Sequence, residues 1–191
     1  MAQKRKQWMS ELADRELRMV DTQINSGLQQ GAAFFASTSI FAIGGSFALL
    51  GATDMVLQIY RDLPLTADSS RAIWEVKVLG LVLIFTYGFF KFAWSYRLFN
   101  YCSILIGAVP SADSNNDQKA YAVDCASNMN ILTGRHFTSG LRGLFFALGY
   151  MGWFVGPKVF ICSTLFVLVV LMRRQYFSRA REILKNDIGR S

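Results

Sequence analysis

Residues 143–172 form an apolar run from Gly143 to Met172 that carries one charge, Lys158, directly after a Gly156-Pro157 pair. A membrane-spanning helix needs about 20 apolar residues. The run is too long for one span and short for two. As a single span it would leave Lys158 near the bilayer centre, at a cost of at least about 2.5 kcal/mol. Pro157 would also remove a helix hydrogen bond and introduce a kink. A hairpin instead sets Trp153 near the outer interface and Lys158 among the headgroups. Its first arm then begins near His136 or Phe137, with Arg142 snorkelling inward, and its second extends to Tyr176 or Phe177.

Two further apolar blocks, Gly31 to Gly51 and Val78 to Phe90, point to the same solvent. The hydrophobic share is 52% and the charged share 17%, whereas a soluble domain carries nearer a quarter charged residues. The net charge of +7 flanks the apolar blocks. Lys4, Arg5, Lys6, Arg15 and Arg18 precede the first; Arg173, Arg174, Arg179, Arg181, Lys185 and Arg190 follow the last. Flanking Lys and Arg mark the cytoplasmic side and favour anionic lipid headgroups, so lipid is the expected partner and nucleic acid is not. Three crossings would put the two basic ends on opposite sides. Four put both inside, together with Arg97, Lys119, Arg135 and Arg142. The expectation is therefore the hairpin, with the kinked single span as its alternative.

Between the blocks the pattern is helical. Residues 1–30 look like one juxtamembrane amphipathic helix, with Trp8, Leu12, Val20, Ile24 and Leu28 on one face and Glu11, Asp14, Arg15, Glu16 and Arg18 on the rest. The span at 31–51 contains Ser37, Thr38 and Ser39, whose hydroxyls can bond back to helix carbonyls. Residues 53–70, with Asp54, Arg61, Asp62, Pro64 and Asp68, suit an outer loop. A helix over 72–108 starts near Arg71 or Ala72, with Trp74 as an interfacial anchor, and stops at Pro110. At about 1.5 Å per residue it is longer than the hydrocarbon core, so its end beyond Lys91 projects inward. Ser111 to Asp117 is a polar turn. A shorter helix over 117–133, ended by Gly134, turns Tyr121, Cys125, Met129 and Leu132 toward that projection. The hairpin occupies 136–156 and 158–177, and 178–191 is a basic tail.

Leu28-Gln29-Gln30-Gly31 running into Phe34-Phe35-Ala36-Ser37-Thr38-Ser39, then Arg97-Leu98-Phe99-Asn100, then Trp153-Phe154-Val155-Gly156-Pro157 followed by Arg173-Arg174, carry a resemblance. Together they resemble the domain-of-unknown-function family 599, from about Glu16 to about Arg181. The resemblance implies a multi-span helical membrane protein and no activity, substrate or cofactor. Family members usually open with an additional hydrophobic helix before the Lys/Arg-rich segment, and this sequence opens at that segment. A missing helix would leave a groove that lipid or another protein could fill.

The chemistry-bearing residues are sparse. Cys102, Cys125 and Cys162 are odd in number and hold no Cys-x-x-Cys, so neither a disulfide framework nor a zinc site is expected. The first thirty residues are polar, without the apolar core of a cleavable signal. His136 is the only histidine, which excludes an intrachain His-x-x-x-His site or a bis-histidine haem. Gly44-Gly45 through Gly51 lacks the spacing of a phosphate loop and follows no strand. No nucleophile, base and acid fall together, so neither enzyme activity nor a cofactor is expected.

Two sets of residues remain. Lys91, Arg97, Asn100 and Arg142 are candidates for an anion or lipid-headgroup site at the inner membrane edge, with the Asn128–Asn130 region beside them. Gly44, Ala48 and Ala52, Gly143 and Ala147, and Gly152 and Gly156 are small-residue faces for close helix packing. The sequence as a whole predicts an all-α integral membrane bundle of four spans with helices projecting into the cytoplasm. Both termini are expected on the cytoplasmic side of what would be, in a bacterium, the inner membrane. The expected role is an accessory or scaffolding subunit packing on other membrane proteins. The alternative is a channel or transporter for a small solute or anion, built by self-association.

Overall fold

A computed structural model describes residues 1–15, 17–61, 70–110 and 115–176. Among them the chain forms α1 (Ala2–Ala13), α2 (Met19–Gly51), α3 (Thr53–Arg61), α4 (Arg71–Ala108), α5 (Asn116–Val155) and α6 (Pro157–Tyr176). The fold is all-helical. Asp62, Pro64 and Asp68 of the expected outer loop, Ser111, Phe177 and the basic tail lie outside the described residues, as does Glu16. By length and composition, α2 and α4 could each cross a bilayer, yet only 11% and 28% of their most apolar stretches are buried. Core helices of a soluble protein bury far more of such stretches.

The helices divide into two compact units, residues 1–38 with 89–140, and residues 39–88 with those from 141 onward. In the first unit α1 packs on α4 and α5. Met9, Leu12 and Ala13 are buried with Cys102, Ile106, Val109 and Ala126, and Trp8, Leu105, Ala122, Val123 and Met129 close round them. Here α4 and α5 run antiparallel: Cys102 meets Asn130, Ser95 meets Thr133, and Phe92 meets Gly140. Likewise α2 runs antiparallel to α4, through Asn25 against Ser103 and Phe35 stacked on Phe92.

In the second unit α4 and α5 pair through Tyr87 with Gly143, Gly80 with Tyr150, and Trp74 with Phe154. The turn at Gly156 folds α6 back along α5. Trp153 stacks on Phe160, Gly149 lies against Thr164, and Arg142 donates to Gln175 at 3.0 Å. Residue numbers fall on one helix as they rise on the other, so α5 and α6 form an antiparallel hairpin. Pro157 opens α6, a position where its missing N–H costs nothing.

Four expectations differ from the structure. Residues 1–30 are not one helix: the chain breaks between Ala13 and Met19. The break rotates the faces. Val20, Ile24 and Leu28 point outward, while Asp21, Asn25 and Ala32 are buried. Second, Gly134 does not end a helix, because α5 runs unbroken from Asn116 to Val155. Gly134 instead admits Arg5: a Cβ there would meet the guanidinium carbon at 2.9 Å. Third, Tyr121 and Leu132 are exposed, and Ala126, Ser127, Asn130 and Thr133 are the buried positions of α5 up to Thr133. A face chosen for large apolar residues is off by a residue because small and polar side chains fill this interior. Residues 53–61 are also helical, as α3, rather than loop.

Candidate functional site

The first unit is built on polar staples that follow from its helix ends. The last turn of α4 leaves carbonyls without intrahelical donors. Arg18 supplies them: its guanidinium donates to the carbonyls of Val109 and Pro110, the latter at 2.7 Å, with Ile106 at the 3.5 Å margin. A cation there also complements the negative end of the helix dipole. Asp21, in the first turn of α2, complements the opposite end of its own helix. Its Oδ1 accepts from the Trp8 indole at 2.7 Å and from Arg15 at 2.9 Å. Arg5 crosses from α1 to donate to the backbone carbonyl of Asn130 at 2.8 Å and to its side-chain oxygen. Burial pulls the Arg5 guanidinium below its ordinary pKa, an effect partly opposed by Cys102. Asn130 passes the network on, donating to Cys102 Sγ at 3.5 Å. On the surface, Lys119 pairs with Asp14 at 2.6 Å.

Lys91, Arg97 and Asn100 all lie on α4 within this unit. Arg97 is exposed; it donates to the Tyr101 hydroxyl at 2.7 Å, its guanidinium 5.6 Å from that ring's centre. Asn100 is exposed and Lys91 half-buried. Trp94 is exposed and faces His136, with ring centres 6.5 Å apart. Asn128 turns out to solvent and bonds Asp124, whereas Asn130 is buried. Arg142 belongs to the second unit, where its partner is Gln175. Among the described residues no three His, Cys, Asp or Glu side chains are grouped as metal ligands would be.

The small-residue faces sort into two kinds. Gly143, Ala147 and Gly152 are buried within the second unit. A Cβ at Gly143 would lie 3.2 Å from the Tyr87 ring, and one at Gly152 3.0 Å from the Val159 carbonyl and nearer still to Ser163 Oγ. Gly149, which the sequence did not single out, packs against the backbone of Thr164 at 3.3 Å. In contrast, Gly44 and Ala48 are exposed and Ala52 half-exposed. A Cβ at Gly27, Gly31, Gly44, Gly45 or Gly51 would meet nothing within 4 Å. Gly156, in the hairpin turn, is equally open. The chain's own packing thus uses the glycines of the α5–α6 hairpin and leaves those of α2 facing outward.

A family model for proteins of unknown function, DUF599, matches residues 1–180. The chain belongs to the DUF599 family. The match takes in every described helix. No curated protein and no solved structure matches the chain. Membership of DUF599 assigns no activity, so the functional reading rests on the geometry.

Proposed function

We propose that this DUF599 protein is a non-enzymatic accessory or scaffolding subunit of a membrane, presenting α2 to another membrane protein. The observation that carries this reading is the outer surface of α2. Asp21 is the only charged residue in its 33-residue length, and it is fully buried. Val20, Ile24, Phe34, Phe41 and Phe47 are exposed instead. A helix of this length spans about 50 Å at 1.5 Å per residue, against a hydrocarbon core of about 30 Å. Lipid tails reach only part of so long a face, and a second helix would cover the apolar remainder. The open glycines suit close approach by that helix.

In this reading the chain crosses four times, through α2, the first half of α4, the second half of α5, and α6. Both basic ends are then cytoplasmic, as the charge distribution favours, in a bacterial inner membrane. Lys91, Arg97 and Arg142 sit at the inner headgroups and bind anionic lipid. The test is cross-linking from native membranes. Cysteines at Ile24 and Ala48 should capture one partner each, either another membrane protein or a second copy. Recovery of only lipid-exposed, uncross-linked chain at both positions contradicts the scaffold role.

One observation favours a second reading, an anion channel or transporter. Lys77 is only 6% exposed and has no ion pair among the described residues, its ammonium lying 5.8 Å from the centre of the Trp153 ring. Ionisable side chains inside membranes often mark solute paths. Lys91 and Arg97 would then line the inner mouth. Anion flux into liposomes that is lost in Lys77→Gln favours this reading; its absence with wild-type protein removes it.

A further inference from the structure

Asp21 and Asn25 stand one turn apart near the start of α2, and both are fully buried. Among the described residues, each has one oxygen that receives no hydrogen bond. Asp21 Oδ1 takes both the Trp8 and Arg15 donors, and Oδ2 takes none. Asn25 uses its amide nitrogen on the Phe99 carbonyl at 2.9 Å and on Ser103 Oγ at 2.6 Å, and its Oδ1 receives nothing. Residues four apart share a helix face, their Cβ atoms about 5–6 Å apart. Buried acceptors without donors are rare and call for a bound ligand or water.

Turning the Asn25 amide over does not resolve the pair. It would set Oδ1 against the Phe99 carbonyl oxygen, two acceptors in contact. A metal cation is also disfavoured by charge. The Arg15 guanidinium already balances the Asp21 carboxylate, so a further positive charge would be buried without compensation. The fitting ligand is neutral, small and carries two donors.

We propose that Asp21 Oδ2 and Asn25 Oδ1 hold one internal water molecule, which donates one O–H to each. The water completes the junction that ties α1 to the rest of its unit, because Asp21 is also the anchor of Trp8 and Arg15. Buried waters of this kind satisfy polar groups that no side chain reaches. The site is independent of the scaffold reading and survives its failure.

The test uses the full chain in detergent or nanodiscs, with its structure determined once in sodium chloride and once in rubidium chloride. The expected result is an ordered peak about 2.6–3.2 Å from both oxygens, identical in the two salts. A peak that gains rubidium's anomalous signal identifies a cation and overturns the proposal. Water-to-protein NOEs to the Trp8 indole proton and the Asn25 amide give a second readout. They are expected to persist at long mixing; absence of both the peak and the NOEs overturns it equally.

Discussion

The two units of the chain hold themselves together by different means. In the unit around α1, helices are joined by charged and amide side chains reaching across to backbone carbonyls: Arg5 to Asn130, Arg18 to the end of α4, Asn25 to Phe99. In the unit around the α5–α6 hairpin, helices are joined by glycine set against ring or backbone: Gly80 under Tyr150, Gly143 under Tyr87, Gly149 against Thr164. Polar staples strengthen packing where water is the competing partner. Close packing of small residues is how helices associate when lipid tails compete for every apolar surface. On the proposed reading, the first kind of packing belongs to a part of the chain in water and the second to a part in lipid.

The strongest way to break that contrast is at Gly152. Gly152→Val presses a branched side chain onto the Val159 carbonyl and Ser163, contacts already at 3.0 Å or less for a bare Cβ. A destabilisation of about 3 kcal/mol is expected from overpacking, seen as a lower midpoint in detergent unfolding. The same change at Gly44, where a Cβ meets nothing within 4 Å, should leave that midpoint unchanged and weaken only partner capture. Equal effects at the two positions would erase the distinction between inner and outer glycines.

A smaller effect is expected at Arg18. Arg18→Met withdraws a charged donor from the carbonyls that end α4, at a cost of about 2 kcal/mol. Arg18→Lys should restore only part of this, since an ammonium lacks the planar fork that serves several carbonyls at once. Denaturant unfolding of the pair measures both.

Arg5 and Gly134 sharpen the picture further. Gly134→Ala should destabilise the wild-type chain, because its Cβ falls 2.9 Å from the Arg5 guanidinium. In an Arg5→Met background the same change should stabilise by about 1 kcal/mol, the helix-propensity gain of alanine over glycine. A double-mutant cycle with no change of sign would contradict the account of why α5 carries a glycine at its middle. The smallest effect belongs to Asp14→Asn. The Asp14–Lys119 pair has one strongly exposed partner, so its loss costs about 0.5 kcal/mol and disappears at high salt.

What the sequence made legible follows from the same contrast. The turn at Gly156 is legible because Pro157 would interrupt a continuous helix and a single span would leave Lys158 at the bilayer centre; in the structure Lys158 is exposed beside the turn. Gly143, Ala147 and Gly152 were readable as packing positions because small residues at helical spacing have few other uses in apolar runs. The first unit was harder. Spacing puts Val20 and Ile24 on one apolar face and turns Tyr121 toward α4, yet the buried positions beside them include the polar Asp21, Asn25 and Asn130. No local pattern announces that a half-buried arginine will occupy the space beside Gly134, since Arg5 lies 129 positions earlier in the chain. The inner-edge set was legible as residue types only. Arg97 and Asn100 do share an exposed stretch of α4, but their partners, Tyr101 for one and Gln175 for Arg142, come from contacts that spacing alone does not specify.

The proposed topology has the chain cross a bilayer four times and turn at Gly156 on the outer side. Single cysteines at Ser10, Lys158 and Gln175 test it directly, in a Cys125→Ser, Cys162→Ala background that keeps the buried Cys102. With an impermeant maleimide applied to intact cells, only the residue 158 cysteine should label, while those at 10 and 175 should label after the membrane is opened. Labelling of residues 158 and 10 from the same side, or recovery of the chain from the cytosol without detergent, contradicts the account.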